Sequence, residues 1–509
     1  MSTLERSDSL YKDWVIAQCD QQPNAIAVHD LHSNRVMSYT AFNDRVESLS
    51  SGLSQFGIVA GDRVAYLGLN SSDTLEIFAA TQRIGAIYVP LNFRLTADEL
   101  SYIINDAKPS LLICDAEFSQ ISDAVKQQLP WLETVLTQCD GSASSYESLM
   151  IKQPSQWAAV NGDDTSMIMY SSGTTGRPKG VIYTRRMILA SAVNIQQTSE
   201  ITEESVFLNV MPLFHIGGMQ SVLTALYSGC KIIMARAFDP AQMLLAINDP
   251  SLGITNLGAV PAIWNALAAH PLCDSTDFSR IRSAATGAES VPPALLTAWM
   301  QRGVVLREVY GLTETSGIIC MTRARDLPQK LGYTSPPLRY CQFKVMRSET
   351  EVAEPGELGE VWMRGAMVTP GYWQREDATA EAFYDGWFRS GDIGKVDADG
   401  CLAIEDRIKD MYISGGENVY PAEVEAVLYE LDAITEVAII GVPDSKWGEV
   451  GCAVIVLKPG HEINLADIHA QCETRLAKYK WPRSVRLMDS LPRNSTGKVQ
   501  KFVLRQNQT

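Results

Sequence analysis

Apolar positions along the chain keep two rhythms, one with a helical period and one alternating or continuous over short runs. From Thr40, the residues Phe42, Val46, Leu49, Leu53 and Phe56 recur at helical spacing, with Thr40 as the expected N-cap and Gly57 at the stop. Strand-like runs lie near 63–69, 86–91 and 111–115, with a helical stretch near 74–83 between the first two. Strands alternating with helices predict a largely parallel α/β sheet, and the run 303–309 carries the pattern past residue 300. After the turn-like Asp397-Ala398-Asp399-Gly400 the organisation changes. Pro421 suits a first helical position, and Val424, Val427, Leu428 and Leu431 recur at i, i+3, i+4 and i+7. Strand-like runs at 437–442 and 452–457 and a helix near 465–477 complete an α+β unit of about 100 residues. The boundary is placed at Lys409, which gives an α/β N-terminal domain over 1–408 and a small α+β C-terminal domain over 409–509.

Composition narrows the function without naming it. A chain of 509 residues exceeds what one core usually serves, and 46% apolar with 20% charged residues is the balance of an ordinary globular protein. The net charge of −16 leaves no general footprint for nucleic acid or an anionic membrane. Binding an anionic nucleotide therefore needs local amides, Lys, Arg and a divalent metal to oppose the long-range field. The ten cysteines lie far apart with no C-x-x-C pair, which fits a reduced, cytoplasmic protein. Residues 1–14 lack the apolar centre of a secretory signal, and 506–509 match no targeting tail. No apolar run approaches the roughly 18 residues of a membrane span, so no integral membrane segment is expected.

The most informative tract is Ser171-Ser172-Gly173-Thr174-Thr175-Gly176-Arg177-Pro178-Lys179-Gly180, which follows the strand-like 167–170. Its glycines let backbone approach an anion, its hydroxyls donate to phosphate oxygens, and Lys179 adds positive charge. It is not a Walker A loop, whose glycines are spaced G-x-x-x-x-G-K with Ser or Thr next, whereas Gly180 follows Lys179 here.

That tract resembles the signature of the adenylate-forming superfamily of acyl-CoA and aryl-CoA ligases, peptide-synthetase adenylation domains and beetle-type luciferases. Further motifs of that family recur in order. Tyr310-Gly311-Leu312-Thr313-Glu314 resembles its aromatic-Gly-x-Thr-Glu segment and Ser390-Gly391-Asp392 its ribose-binding Ser-Gly-Asp. Asp406-Arg407-Ile408-Lys409-Asp410 resembles its hinge, and Pro492-Arg493-Asn494-Ser495-Thr496-Gly497-Lys498 its C-terminal lysine loop. The resemblance implies a large multi-sheet N-terminal domain with a small mobile C-terminal lid.

It also implies roles. The phosphate loop, Ser171 to Gly176 with Lys179, would hold ATP, and Thr175 would join Lys498, Glu314 and His215 in the catalytic set. Glu314 would hold Mg²⁺, a hard cation that prefers oxygen ligands. Asp392 would accept the ribose hydroxyls, Tyr310 would pack on adenine beside Gly311 and Thr313, and Gly287-Ala288-Glu289 would form the opposite wall. Lys498 would stabilise charge on the α-phosphoryl oxygens as pyrophosphate leaves. Arg407 would face the nucleotide, and Lys409 would mark where the domains rotate. In a second orientation Gly415 and Gly416 would border the tunnel for the thiol of coenzyme A. Phe214-His215-Ile216-Gly217-Gly218 resembles the segment near the carboxylate end of the acyl pocket; His215 there could bond or gate the substrate, or be a satisfied core histidine.

The implied reaction is ATP-dependent activation of an organic acid to an acyl-adenylate, then thioester formation with CoA. The run 411–425 resembles fatty-acid and aryl-acid CoA ligases, which points to an apolar aliphatic or aromatic acid. The reading Phe214-His215, where amino-acid-activating relatives place an Asp, disfavours an amino acid. No Ser-bearing carrier domain follows Lys498, so free CoA is the simpler acceptor than a carrier protein. A luciferase-like oxidoreductase would share only the adenylation half. A non-catalytic nucleotide- or acyl-binding regulator would not need both Glu314 and Lys498. A homodimer is compatible with the sequence. Two departures from the family pattern stand out: Gly332 to Pro337 lacks a second Gly, and Asp406 occupies a common Gly position, where it would pair with Arg407 or face water.

Overall fold

The computed structural model describes residues 13–137, 146–155, 157–171, 178–289, 291–407, 410–414, 417–444, 446–473, 475–493 and 499–506. Two large sheets, each mostly parallel, form the first part of the chain. An eight-stranded sheet runs Gly317–Met321, Leu306–Leu312, Ser283–Gly287, Asn256–Ala259, Val206–Asn209, Lys231–Met234, Ile26–Asp30, Arg35–Ser38, antiparallel only at its two edges. A six-stranded sheet runs Thr134–Thr137, Leu111–Asp115, Arg63–Leu67, Ile87–Leu91, Thr165–Ser171, Lys179–Thr184, and its last pair is an antiparallel hairpin. The helices Tyr39–Gln55, Ser72–Arg83, Arg185–Thr198 and Ile216–Tyr227 share one apolar core with residues of both sheets, among them Val28, Ile232, Val64 and Ile113. Parallel strands need crossovers, and helices filling them bury both faces of each sheet.

The sequence pattern explains these helices and where they end. Phe42, Val46, Leu49 and Leu53 are fully buried along one stripe of the helix Tyr39–Gln55, and Gly57 follows it at φ 100°. Its N-cap is Ser38, whose hydroxyl accepts the Ala41 N–H at 3.1 Å, and not Thr40, which lies inside the first turn and donates to the Pro23 carbonyl. The helix Ser72–Arg83 is buried nearly all round, including Asp73 and Glu76. Each carboxylate meets an arginine at 2.6 Å, Arg35 for Asp73 and Arg45 for Glu76, because a buried charge without a partner would be far costlier.

An antiparallel sheet follows, with Cys341–Met346, Gly359–Gly365, Trp387–Val396 and Leu402–Arg407 in succession and Phe383–Tyr384 on Trp387–Val396. The last unit is a five-stranded sheet of Glu417–Val419, Tyr412–Ser414, Gly448–Leu457, Ile434–Asp444 and Ser484–Leu487. One of its faces packs on the helices Pro421–Leu428 and Leu465–Cys472, and the other on Leu491 and Leu504. Pro421 is the first helical residue, and Val424 and Leu428 are fully buried while Val427 and Leu431 pack at the margin of that core. The division at Lys409 falls on a residue outside those described. Among the described residues no helix is long and apolar enough to cross a membrane.

Candidate active site

The strands on either side of 172–177 form a hairpin. Ser171 and Lys179 are register partners at the ends of Thr165–Ser171 and Lys179–Thr184, so whatever fills 172–177 starts and finishes at one place. The base of the hairpin is pinned from two sides. The Tyr170 hydroxyl donates to Asp106 at 2.7 Å, and Arg375 donates to the same carboxylate at 2.8 Å. On the returning strand the Trp373 N–H donates to the Gly180 carbonyl at 2.7 Å. The Lys179 ammonium sits over the ring of Tyr372, 4.7 Å from its centroid, a favourable cation–π arrangement.

Tyr372 links this hairpin to the acidic motif. Its hydroxyl donates to Glu314 Oε1 at 3.0 Å, so Lys179 and Glu314 share one aromatic residue. Glu314 sits in the single turn Thr313–Thr315 that ends the strand Leu306–Leu312. The turn is tied down at the Thr313 carbonyl by Tyr183 and at the Glu314 carbonyl by the Thr369 N–H. Gly311 is required by close packing, since a Cβ there would lie 1.7 Å from the Gly317 carbonyl oxygen. Burial pushes the Glu314 carboxyl above its ordinary pKa, while the Tyr372 hydrogen bond and the charge of Arg407 pull the other way. Such a carboxylate suits a cation able to compensate it.

Three strands from two sheets meet at Asp392. The Tyr310 hydroxyl donates to Oδ2 at 2.8 Å and Arg407 Nε to Oδ1 at 3.0 Å, and the carboxylate is 3% exposed. Asp392 and Arg407 are direct register partners, which places the guanidinium on the acid. The preceding Ser390 accepts the Asp392 N–H at 3.0 Å. Across from Tyr310, the strand Ser283–Gly287 runs alongside Leu306–Leu312, and a Cβ at Gly287 would lie 2.3 Å from the Val309 carbonyl oxygen. Ala288 then takes φ 71°, and Glu289 follows it toward the last unit of the chain, where Arg493 lies 4.0 Å away.

His215 precedes the helix Ile216–Tyr227 as its N-cap residue. Its ring packs at 4.3 Å on Phe214, which makes an edge-to-face contact with Phe93 at 5.1 Å, with Arg94 at 5.8 Å over the Phe214 ring. His215 Nε2 is buried and has no hydrogen-bond partner among the described residues. Burial, helped by the charge of Arg94, pushes its pKa down to about 3, so the ring is neutral at neutral pH.

The structure brings Ser171, Lys179, Gly311, Thr313 and Glu314 to one cluster and Tyr310, Asp392 and Arg407 to its neighbour. Gly287, Ala288 and Glu289 form the flank beside Tyr310. Ser172, Gly173, Thr174, Thr175, Gly176, Lys409, Gly415, Gly416 and Lys498 lie outside the described residues. Tyr372, Tyr183 and Thr369 escape sequence reasoning because each acts through contacts made in space. Asp406 follows neither expectation for it: it is buried, Oδ1 accepts the Arg407 N–H at 2.7 Å, and Oδ2 accepts the Ala422 N–H at 2.8 Å in the first turn of Pro421–Leu428. Arg407 turns its side chain to Asp392 instead. The tract after Gly332 is also firmly held, with the Thr334 N–H on the Leu402 carbonyl at 2.8 Å.

Residues 15–373 match the family described as AMP-binding enzyme, and residues 423–498 match the AMP-binding enzyme C-terminal domain. A feruloyl-CoA synthase from an Amycolatopsis species is 37% identical over 494 residues, 97% of this chain and 98% of that one. The long-chain-fatty-acid–CoA ligase FadD13 of Mycobacterium tuberculosis is 36% identical over 472 residues, 92% of this chain and 93% of its own. Among solved structures, ATP-bound MatB from Rhodopseudomonas palustris superposes with a TM-score of 0.90 at 29% identity, covering 97% of this chain and 98% of that one. The o-succinylbenzoate CoA synthetase MenE from Bacillus subtilis, in complex with its acyl-adenylate intermediate, does so with a TM-score of 0.87 at 30% identity and the same coverage.

Proposed function

Since the chain belongs to the AMP-binding enzyme family, we propose that it is an AMP-forming carboxylate–CoA ligase. It activates an organic acid with ATP to an acyl-adenylate and pyrophosphate, then transfers the acyl group to the thiol of CoA and releases AMP. The observation that carries the reading is the convergence of Tyr310 and Arg407 on the buried Asp392, beside the Lys179–Tyr372–Glu314 cluster. That arrangement offers a stacking ring, an acceptor for ribose hydroxyls and a cation–carboxylate pair for a triphosphate.

Asp392 retains acceptor capacity beyond its two protein bonds, because an ionised carboxylate has about four acceptor positions. Lys179 can leave the Tyr372 face for a phosphate oxygen, exchanging a cation–π contact for a charge-assisted bond. Glu314 would hold Mg²⁺, which is usually bound by one or two carboxylates together with substrate phosphates and waters. When bound, the metal neutralises charge on the phosphates. Lys498, with Thr175 in the phosphate loop, supplies further positive or donor groups where charge builds on the α-phosphoryl oxygens, so that carboxylate attack needs no proton transfer.

His215, whose Nε2 has no hydrogen-bond partner among the described residues, and the Phe214–Phe93 ring pair suit the polar end and the wall of a pocket for an apolar acid. Relatives named for ferulate, long-chain fatty acid and indoleacetate support an aliphatic or aromatic substrate. Rotation about Lys409 would exchange the Lys498 loop for the Gly415-Gly416 edge, so that one site runs both half-reactions. The nine described cysteines are all free, which suits the cytoplasm. The test is acid-dependent release of pyrophosphate across a panel of aliphatic and aromatic acids, followed by CoA-dependent release of AMP. Lys498→Ala should lose acyl-AMP formation yet still convert supplied acyl-AMP to acyl-CoA. Absence of any acid-dependent pyrophosphate release from the parent protein overturns the ligase reading, and unchanged adenylation in the variant overturns the role of Lys498.

A further inference from the structure

Arg493 stands at the meeting of the two bodies of the chain. Its Nη2 lies 3.1 Å from Glu436, in the strand Ile434–Asp444 of the small unit. Its Nη1 lies 4.0 Å from Glu289, which follows the wall strand Ser283–Gly287 of the large one. Both anchors are built into their units. Behind Arg493, Leu491 is buried in the small unit's core, and the Pro492 carbonyl accepts the Gln500 N–H at 2.8 Å. Before Glu289, Gly287 packs against the Val309 carbonyl and Ala288 is held at φ 71°. Glu289 is also close enough to the small unit's Tyr429 for its charge to bear on that hydroxyl. Arg493 and Val499 pair as an isolated antiparallel bridge, so they mark the two ends of the segment that carries Lys498.

We propose that Arg493 is a positioning residue for adenylation: through Glu289 it holds the base of the lysine-bearing loop against the wall beside Tyr310, and this contact exists only in the orientation that forms acyl-AMP. The inference rests on the ligase reading and extends it to a residue outside the nucleotide contacts. Any rotation that withdraws the Lys498 segment must separate Arg493 from Glu289, while the Arg493–Glu436 pair, internal to the small unit, travels unchanged. The Glu289 contact therefore biases which half-reaction the small unit serves. Both side chains are partly exposed, at 30% and 25%, so the contribution is that of a surface pair, small in energy but confined to one orientation.

The test measures both half-reactions on the full-length protein. In the parent, acid-dependent ATP–pyrophosphate exchange and acyl-CoA formation from supplied acyl-AMP must each be present, and absence of both sinks the ligase reading rather than this inference. Arg493→Gln should slow exchange by about two- to fivefold through its rate constant, with the KM for ATP little moved and conversion of supplied acyl-AMP unchanged. Arg493→Glu should slow exchange further, because it faces two carboxylates. Adding Arg493→Gln to Glu289→Gln should cost nothing more than Glu289→Gln alone, and Glu436→Gln should leave exchange near the parent rate. Equal losses in both half-reactions, independent effects at 289 and 493, or a Glu436→Gln variant that reproduces Arg493→Gln would each overturn the proposal.

Discussion

Replacing Asp392 with Asn tests the nucleotide site most directly. In the protein, Tyr310 and Arg407 occupy one position on each carboxylate oxygen, at 2.8 and 3.0 Å, leaving about two of four acceptor positions for ribose hydroxyls. An amide keeps one oxygen, which Tyr310 can hold, and turns two N–H donors toward Arg407 or the ribose. It therefore loses the ion pair and at least one bond from a ribose hydroxyl to an ionised acceptor, worth about 1.5–3 kcal/mol. At 1.36 kcal/mol per decade, the KM for ATP should rise about 10- to 150-fold in the exchange assay. The sharper readout is chemical. The parent should discriminate against 2′-deoxy-ATP or 3′-deoxy-ATP, and Asp392→Asn should lose that discrimination, because the partner of the missing hydroxyl is already gone. If Asp392→Asn penalises both deoxynucleotides as strongly as the parent does, Asp392 does not hold the ribose.

Gly311→Ala should destabilise by at least about 1–3 kcal/mol, read as a lower urea midpoint or loss of soluble protein, because its Cβ would sit 1.7 Å from a backbone oxygen of the neighbouring strand. A variant of parental stability would show that this strand edge is looser than described. Tyr372→Phe keeps the ring under Lys179 but removes a hydrogen bond that lowers the Glu314 pKa against burial. The carboxyl should then rise further, shrink the ionised fraction at a given pH, and move the acid limb of the pH–rate profile upward; an unmoved limb would separate Glu314 from activity. His215 has a folded pKa of about 3 against 6.5 for an ordinary histidine, so between those values the unfolded chain binds one more proton. Its contribution to stability should fall as pH falls, by up to about 1.4 kcal/mol per unit, and His215→Gln should flatten that slope in urea titrations at pH 4.5 and 7.

The parts of the fold that sequence reasoning anticipates are those governed by local period. The stripe Phe42 to Leu53, the strand Leu111–Asp115 and Pro421 at the start of a helix needed only spacing and backbone preference. Boundaries drifted where caps compete: Ser38 and Thr40 are both hydroxyl residues two apart, and only the direction of the incoming chain selects Ser38. The helix near 465–477 is regular over Leu465–Cys472, and one more helical bond follows it, from the Leu476 N–H to the Cys472 carbonyl at 2.9 Å. At the site, motif residues such as Tyr310, Glu314 and Asp392 were legible because several chemical types recur at fixed spacing. Tyr372 was not, because nothing around it in the chain distinguishes it from any tyrosine in a turn. Asp406 is illegible for the same reason: its partner Ala422 offers a backbone N–H, and a backbone donor leaves no trace in side-chain identity.

Asp406 and Arg407 are neighbours in one strand, yet they hold different units: Asp406 accepts the Ala422 N–H in the first turn of Pro421–Leu428, and Arg407 bonds Asp392, the proposed ribose acceptor. Whatever draws Arg407 away from Asp392 therefore pulls on the residue bonded to the small unit. In the proposed ligase, a change at the nucleotide's sugar would have a single peptide bond to cross to reach the contact with Pro421–Leu428, so no long relay through the core is required.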